Sequence, residues 1–138
     1  MKPIFFLSLI FIACSCSQTT KTANGENKLF QEAKTSNAKL DFSRSAVDFG
    51  NVGNNEMLTA VYPFKNSGKD TLRINSVQPD CSCTSSKLSK DKIAPNDTAN
   101  IKLTFSTHNK NGKVVMYSTV SANTDAKMYI LRINANVQ

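Results

Sequence analysis

Residues 39–138 are predicted to form an all-β domain, an antiparallel β-sandwich of seven short strands. Three observations lead there. Apolar residues recur at every second position in seven separate stripes, turn-forming clusters divide the stripes, and no run combines helical spacing with end caps. Alternation of this kind places every second side chain on one face of a strand, and seven such strands in this length of chain are the pattern of two packed sheets. A doubly wound or barrel α/β fold would need helical crossovers for which there is no chain.

The stripes run in order as Leu40 and Phe42; Val47 and Phe49; Leu58, Ala60, Tyr62 and Phe64; Leu72 and Ile74; Ile101, Leu103 and Phe105; Val114, Met116 and Val120; and Tyr129, Leu131, Ile133, Ala135 and Val137. Between them lie turn clusters at residues 50–55, 66–70, 94–97, 107–112 and 123–125, rich in Gly, Asn, Asp and Pro. Pro63 falls on the polar phase of the third stripe, where its missing donor is tolerable only at an edge or a bulge. Gly68 suits a short hairpin loop with a left-handed residue. Val77 is out of phase with Leu72 and Ile74, so that strand is expected to end or bulge near Asn75 and to deliver residues 78–83 to an edge or corner.

The start of the chain is of another kind. A lone Lys2, an apolar run from Ile4 to Ile12 and then Ala13-Cys14 make a secretory signal whose apolar run is too short to span a bilayer, for which about 20 residues are needed. It resembles bacterial lipoprotein signals, in which cleavage precedes a cysteine that becomes lipidated. Residues 1–13 are therefore read as signal peptide and Cys14 as the lipidated residue, with Cys16 as the alternative. Cys14 follows a small residue at the right distance from the apolar core. Cys16 would leave an even pair of cysteines in an oxidising compartment. Residues 14–38 are polar, with only Leu29 and Phe30 as large apolar residues, and read as a flexible tether whose ends lie roughly 25 to 30 Å apart. No acidic run follows the anchor, so the expected location is the cell envelope, lipid-anchored at the periplasmic face of the outer membrane.

Charge excludes one class of partner. Of 17 Lys and Arg only Lys2 is lost with the signal, leaving 16 against 10 Asp and Glu, a net +6. These cations are scattered one per turn or strand and do not form a run with interleaved aromatics, so nucleic-acid binding is not expected. The membrane, through the lipid, and an envelope protein are the expected partners.

Four elements occur together: Val47-Asp48-Phe49-Gly50-Asn51-Val52, Phe64-Lys65-Asn66-Ser67-Gly68-Lys69, Asp80-Cys81-Ser82-Cys83-Thr84 and Ile93-Ala94-Pro95-Asn96-Asp97. In this order and spacing the chain resembles the bacterial family catalogued as domain of unknown function fifteen seventy-three. The resemblance covers residues 39 to 138. It implies an immunoglobulin-like sandwich, often in a secreted lipoprotein, and no established activity. The residue between the cysteines, usually Gly in that family, is Ser82 here.

Cys81 and Cys83 are the residues of the domain with distinctive chemistry. In an extended strand, residues two apart lie about 6.6 Å from each other, too far for a disulfide, so a bridge needs a tight turn at Ser82. Three readings stay open: a reducible disulfide, a thiolate pair holding a soft ion such as Cu(I), or two small, buried, inert side chains. Zinc would want more ligands, and the single histidine, His108, lies in a polar turn. Met57, Met116 and Met128 are too separated for a copper-binding cluster. No nucleophile elbow, phosphate-cradling loop or His-Glu helix motif is present, so no catalytic residue and no cofactor is expected beyond that possible Cu(I). The leading expectation is a non-catalytic, lipid-anchored binding module. The alternative is a periplasmic copper-binding or thiol-redox protein acting through Cys81 and Cys83.

Overall fold

The computed structural model describes residues 36–126 and 128–138; the expected signal peptide, Cys14, Cys16 and the expected tether as far as residue 35 lie outside the described residues. Among the described residues nine strands follow one another: β1 (Leu40–Phe42), β2 (Ala46–Val52), β3 (Met57–Asn66), β4 (Leu72–Pro79), β5 (Thr84–Leu88), β6 (Lys92–Ile93), β7 (Thr98–Ser106), β8 (Gly112–Ala122) and β9 (Tyr129–Val137). They form two sheets, of order β1-β3-β7-β5 and β2-β9-β8-β4-β6. The core between them takes the predicted stripes: Tyr62, Phe64, Ile101 and Phe105 from the first sheet meet Leu72, Val120, Leu131 and Ile133 from the second.

The sandwich class holds, with two corrections. Nine strands replace seven, because β5 (Thr-Ser-Ser-Lys-Leu) and the two-residue β6 carry too little apolar periodicity to be seen; both are edge strands, joined on one side only. The sandwich is also not wholly antiparallel, since β2 runs parallel to β9. The cause is local. After β1 pairs antiparallel with β3, residues 43–45 carry the chain to the other sheet without reversing it, and Arg132 N–H bonds the Ser45 carbonyl at 2.8 Å to start the parallel pair. Side-chain alternation is blind to strand direction.

Pro63 illustrates how the sheet tolerates a missing donor. Ser43 N–H bonds the Pro63 carbonyl at 3.0 Å. In a hydrogen-bonded antiparallel pair the return bond would come from Pro63 N–H, and it is at this point that β1 has ended. Upstream, β3 is joined only to β7, and the Val61 carbonyl on its open side takes a bond from Arg44 Nε at 3.0 Å. The strand lies inside the sheet yet is open where the proline sits.

Two further expectations change. Residues 67–71 do not close a hairpin but cross from one sheet to the other, and the left-handed glycines are Gly50 and Gly112, not Gly68. Gly68 is required for a different reason: a Cβ there would meet Ala38 Cα at 2.6 Å and collide with the backbone of Asn37 and Lys39. The packed domain also begins before residue 39. Ala38 is in the core, in phase with Leu40 and Phe42, and the Asn37 carbonyl accepts a bond from Lys69 N–H at 3.0 Å. The break at Val77 corresponds to a bulge: the β4–β8 register shifts between Ile74 and Ser76.

Candidate functional site

Most of the motif residues that carry the family resemblance are absorbed by turn geometry. Asp48 Oδ1 accepts the Gly50 N–H at 2.8 Å, and Gly50 takes a positive φ at the register shift of β2. In Ala94-Pro95-Asn96-Asp97 the Asp97 N–H bonds the Ala94 carbonyl at 3.0 Å, with Asn96 at positive φ after the proline, the form of a type II turn. Asn66 is buried and binds four backbone groups of the crossing segments. These residues build the scaffold.

Asp80-Cys81-Ser82-Cys83 is not explained in that way. It forms the tight turn that takes the chain from β4 in one sheet to β5 in the other. Its entry is pinned by Asp80, whose N–H bonds the Tyr117 carbonyl at 3.0 Å while its carboxylate accepts the Tyr117 N–H at 3.1 Å. Its exit is pinned by Thr84 N–H on the Cys81 carbonyl at 3.1 Å and Ser106 N–H on the Cys83 carbonyl at 2.9 Å. The turn at Ser82 brings the two Cα atoms to 5.2 Å, inside the range a disulfide spans, and the two sulfurs are bonded. Both cysteines are half-buried against the core while Ser82 is exposed. Cys83 N–H also donates to Cys81 Sγ at 2.9 Å.

As a staple this bridge is weak. In the chain-entropy account a loop of three residues removes only about 1.6 kcal/mol from the unfolded state, against about 3 kcal/mol for fifteen. As a metal site it stands alone, because no group of three His, Cys, Asp or Glu converges among the described residues. His108 is exposed in its turn and bonds the Asn55 side chain. Met57 and Met128 are exposed and Met116 is buried in the core. Thiol chemistry is what the corner has to offer.

A second surface adjoins it. The outer face of the β2-β9-β8-β4-β6 sheet exposes Val115 (47%), Tyr117 (45%) and Ile130 (61%). Tyr117 pairs directly with Arg132, Ile130 is the next outward residue on β9 and Val115 the next on β8, so these side chains are contiguous. The strand beneath is anchored through the core: Tyr62 OH donates to the Arg132 carbonyl at 2.8 Å, and burial pushes that phenol up to about 12, with the Arg44 charge pulling the other way. Sequence periodicity alone passes over this face. The signal for it is an apolar residue on the polar phase: Val115 between Val114 and Met116, Tyr117 directly after Met116, and Ile130 between Tyr129 and Leu131.

Comparison with known proteins bears on the fold. Residues 40–137 match the profile of a family described as protein of unknown function (DUF1573). Among solved structures, a protein of unknown function from Porphyromonas gingivalis W83 superposes with a TM-score of 0.65 at 15% identity, over 74% of this chain and 48% of that one. The ASH / PapD-like domain 7 of human CEP192 gives 0.55 at 10% identity over 75% and 87%. The secreted serine protease VesC from Vibrio cholerae gives 0.55 at 9% over 71% and 23%. The chain thus spans about half of the Porphyromonas protein, and at these identities the likeness is one of fold. No curated protein matches.

Proposed function

The chain belongs to the DUF1573 family, and from its immunoglobulin-like fold and exposed sheet face we propose that it is a non-catalytic binding module, lipid-anchored at Cys14 to the periplasmic face of the outer membrane, that docks an envelope protein. The observation that carries the binding reading is the contiguous cluster of Val115, Tyr117 and Ile130 around Arg132. An antiparallel sheet with one face in water alternates apolar inside and polar outside. Here the outward phase is apolar at three neighbouring positions, and Tyr and Arg are the side chains that interface hot spots concentrate. The cluster stands on paired strands, so little conformational freedom is lost when a partner covers it.

Photo-crosslinking in the native envelope tests this. A photoreactive residue at position 117 is expected to give a discrete protein adduct, and one at Lys102, on the outer face of the opposite sheet, none. Equal adducts from both positions, or none from 117, would overturn the docking face. The anchor is checked with a labelled fatty acid: label is expected in the wild type and in Cys16→Ser and not in Cys14→Ser, and the reverse pattern would transfer the anchor to Cys16.

A second reading, thiol chemistry at Cys81 and Cys83, is favoured by one observation, the bonded sulfurs in a solvent-facing turn. Cu(I) would require the same pair reduced, and its binding by the reduced protein is the measurement that would favour the metal over the redox form of this reading.

A further inference from the structure

We propose that the Cys81–Cys83 bridge is an exchangeable disulfide that oxidises an external dithiol, and that the incoming thiolate attacks Cys83 Sγ. The inference rests on the thiol reading of the pair and is independent of the docking face.

Two observations carry it. First, the turn does not depend on the bridge. Asp80 is held to Tyr117 by two bonds, Thr84 N–H to the Cys81 carbonyl, and Ser106 N–H to the Cys83 carbonyl. None of these bonds involves a sulfur, so parting the sulfurs removes none of them directly. Opening the bond therefore leaves two thiols fixed near each other in a folded domain, which is the condition for re-forming it. A bridge that crosslinks distant elements has no such freedom.

Second, the two sulfurs are unlike. Cys83 N–H points at Cys81 Sγ at 2.9 Å, and a donor aimed at sulfur favours its thiolate form. Among the described residues, Cys83 Sγ has only the Thr84 hydroxyl, at 4.0 Å. The charge nearest in sequence, Asp80, has its carboxylate engaged by Tyr117 N–H. In thiol–disulfide exchange the better-stabilised thiolate leaves. Cys81 is thus the leaving group and Cys83 the sulfur attacked.

The step balances without a metal. A thiolate of the dithiol attacks Cys83 Sγ, a new S–S bond forms, the old one breaks, and its electron pair goes to Cys81 Sγ, which takes up a proton. The second thiolate of the dithiol then attacks its partner sulfur in the mixed disulfide and releases Cys83 as thiolate, which is also protonated. The dithiol loses two electrons and two protons and becomes a disulfide; Cys81 and Cys83 gain them. A more oxidising disulfide restores the bridge by the same route reversed.

The test uses the full chain with Cys14→Ser and Cys16→Ser, so that Cys81 and Cys83 are the only thiols. Iodoacetamide without reductant is expected to add nothing in native buffer. With dithiothreitol present both thiols should be alkylated in native buffer, no more than about tenfold slower than in denaturant, with an unchanged β-type circular dichroism spectrum. Ultraviolet titration of the single variants should show Cys81, in Cys83→Ser, ionising at lower pH than Cys83 in Cys81→Ser. Alkylation before reductant would show the pair reduced and reachable, and would overturn the exchange proposal while leaving the thiol reading in its Cu(I) form. A bridge that opens only in denaturant would overturn both the exchange proposal and the thiol reading, and a reversed ionisation order would overturn the assignment of Cys83 as the sulfur attacked.

Discussion

Phe105→Ala is expected to cost about 3 to 5 kcal/mol of unfolding free energy, read from urea or thermal denaturation of the full chain. Phe105 is fully buried on β7, an inner strand of its sheet, where it pairs with Leu58 of β3 on one side and Thr84 of β5 on the other. Removing the ring leaves a cavity lined by two sheets that are each hydrogen-bonded along their length, so neither can move inward to fill it. The loss is then the transfer energy of the ring plus most of the cavity term. Phe64, also fully buried, is expected to behave alike, although its ring packs tilted, with centroids 5.6 Å apart, against the partly exposed Phe42, which gives that site some capacity to relax. Lys65→Ala, one position out of phase on the same strand, should lie within about 0.5 kcal/mol of the wild type. A Phe105→Ala cost as small as that of Lys65→Ala would contradict the register of β7.

What could be read from the chain and what could not divide along a physical line. Residues whose role is burial announce themselves by period: every stripe from Leu40 to Val137 became a strand, and the phase break at Val77 became a bulge. Residues whose role is set by pairing across long separations do not. β5 and β6 exist because β7 and β4 offer them an open edge, and nothing in Thr-Ser-Ser-Lys-Leu requires a strand. The parallel pairing of β2 with β9 is decided by a crossing of three residues, which leaves no mark on alternation. Gly68 was legible as a glycine that matters but not as one that matters for a close backbone approach, because the approaching segment lies about thirty residues earlier.

The candidate sites show the same division. The C-x-C spacing and the need for a turn at Ser82 are local, and both are visible in the sequence; the difference between the two sulfurs is an outcome of how the turn closes, with Cys83 N–H directed at Cys81 Sγ. The outer face is written in the chain as Val115, Tyr117 and Ile130 on the wrong phase, yet only the β8–β9 register places Tyr117 against Arg132 and makes a surface of them. That the corner and the face meet at Tyr117 follows from Asp80, whose two bonds tie the turn to that residue's backbone. A partner seated over Tyr117 would lie beside the disulfide, which links the two readings spatially without making either depend on the other.

Asn66→Ala is expected to cost about 3 to 5 kcal/mol, as much as deleting a core ring, through polar groups left unpaired rather than through lost apolar area. The Asn66 side chain is fully buried where the chain crosses between sheets after β3. Its amide nitrogen donates to the Asp70 carbonyl at 2.8 Å and to the Ile93 carbonyl at 3.0 Å, and its oxygen accepts from Gly68 N–H at 3.0 Å and Lys39 N–H at 3.4 Å. One side chain thus joins the crossing segment, the start of the domain and β6. Alanine strips the partners from these backbone groups at a site too enclosed for water to replace them all, and each unsatisfied buried group costs about 1 to 3 kcal/mol. Asn66→Asp separates the polar role from the packing role, because it keeps the shape and the acceptor but turns a carboxylate toward two carbonyl oxygens. It should therefore be no more stable than Asn66→Ala near neutral pH and should recover as the pH falls and the carboxyl gains a proton it can donate. An Asn66→Asp protein as stable as the wild type at neutral pH would show that the two carbonyl bonds do not hold the crossing together.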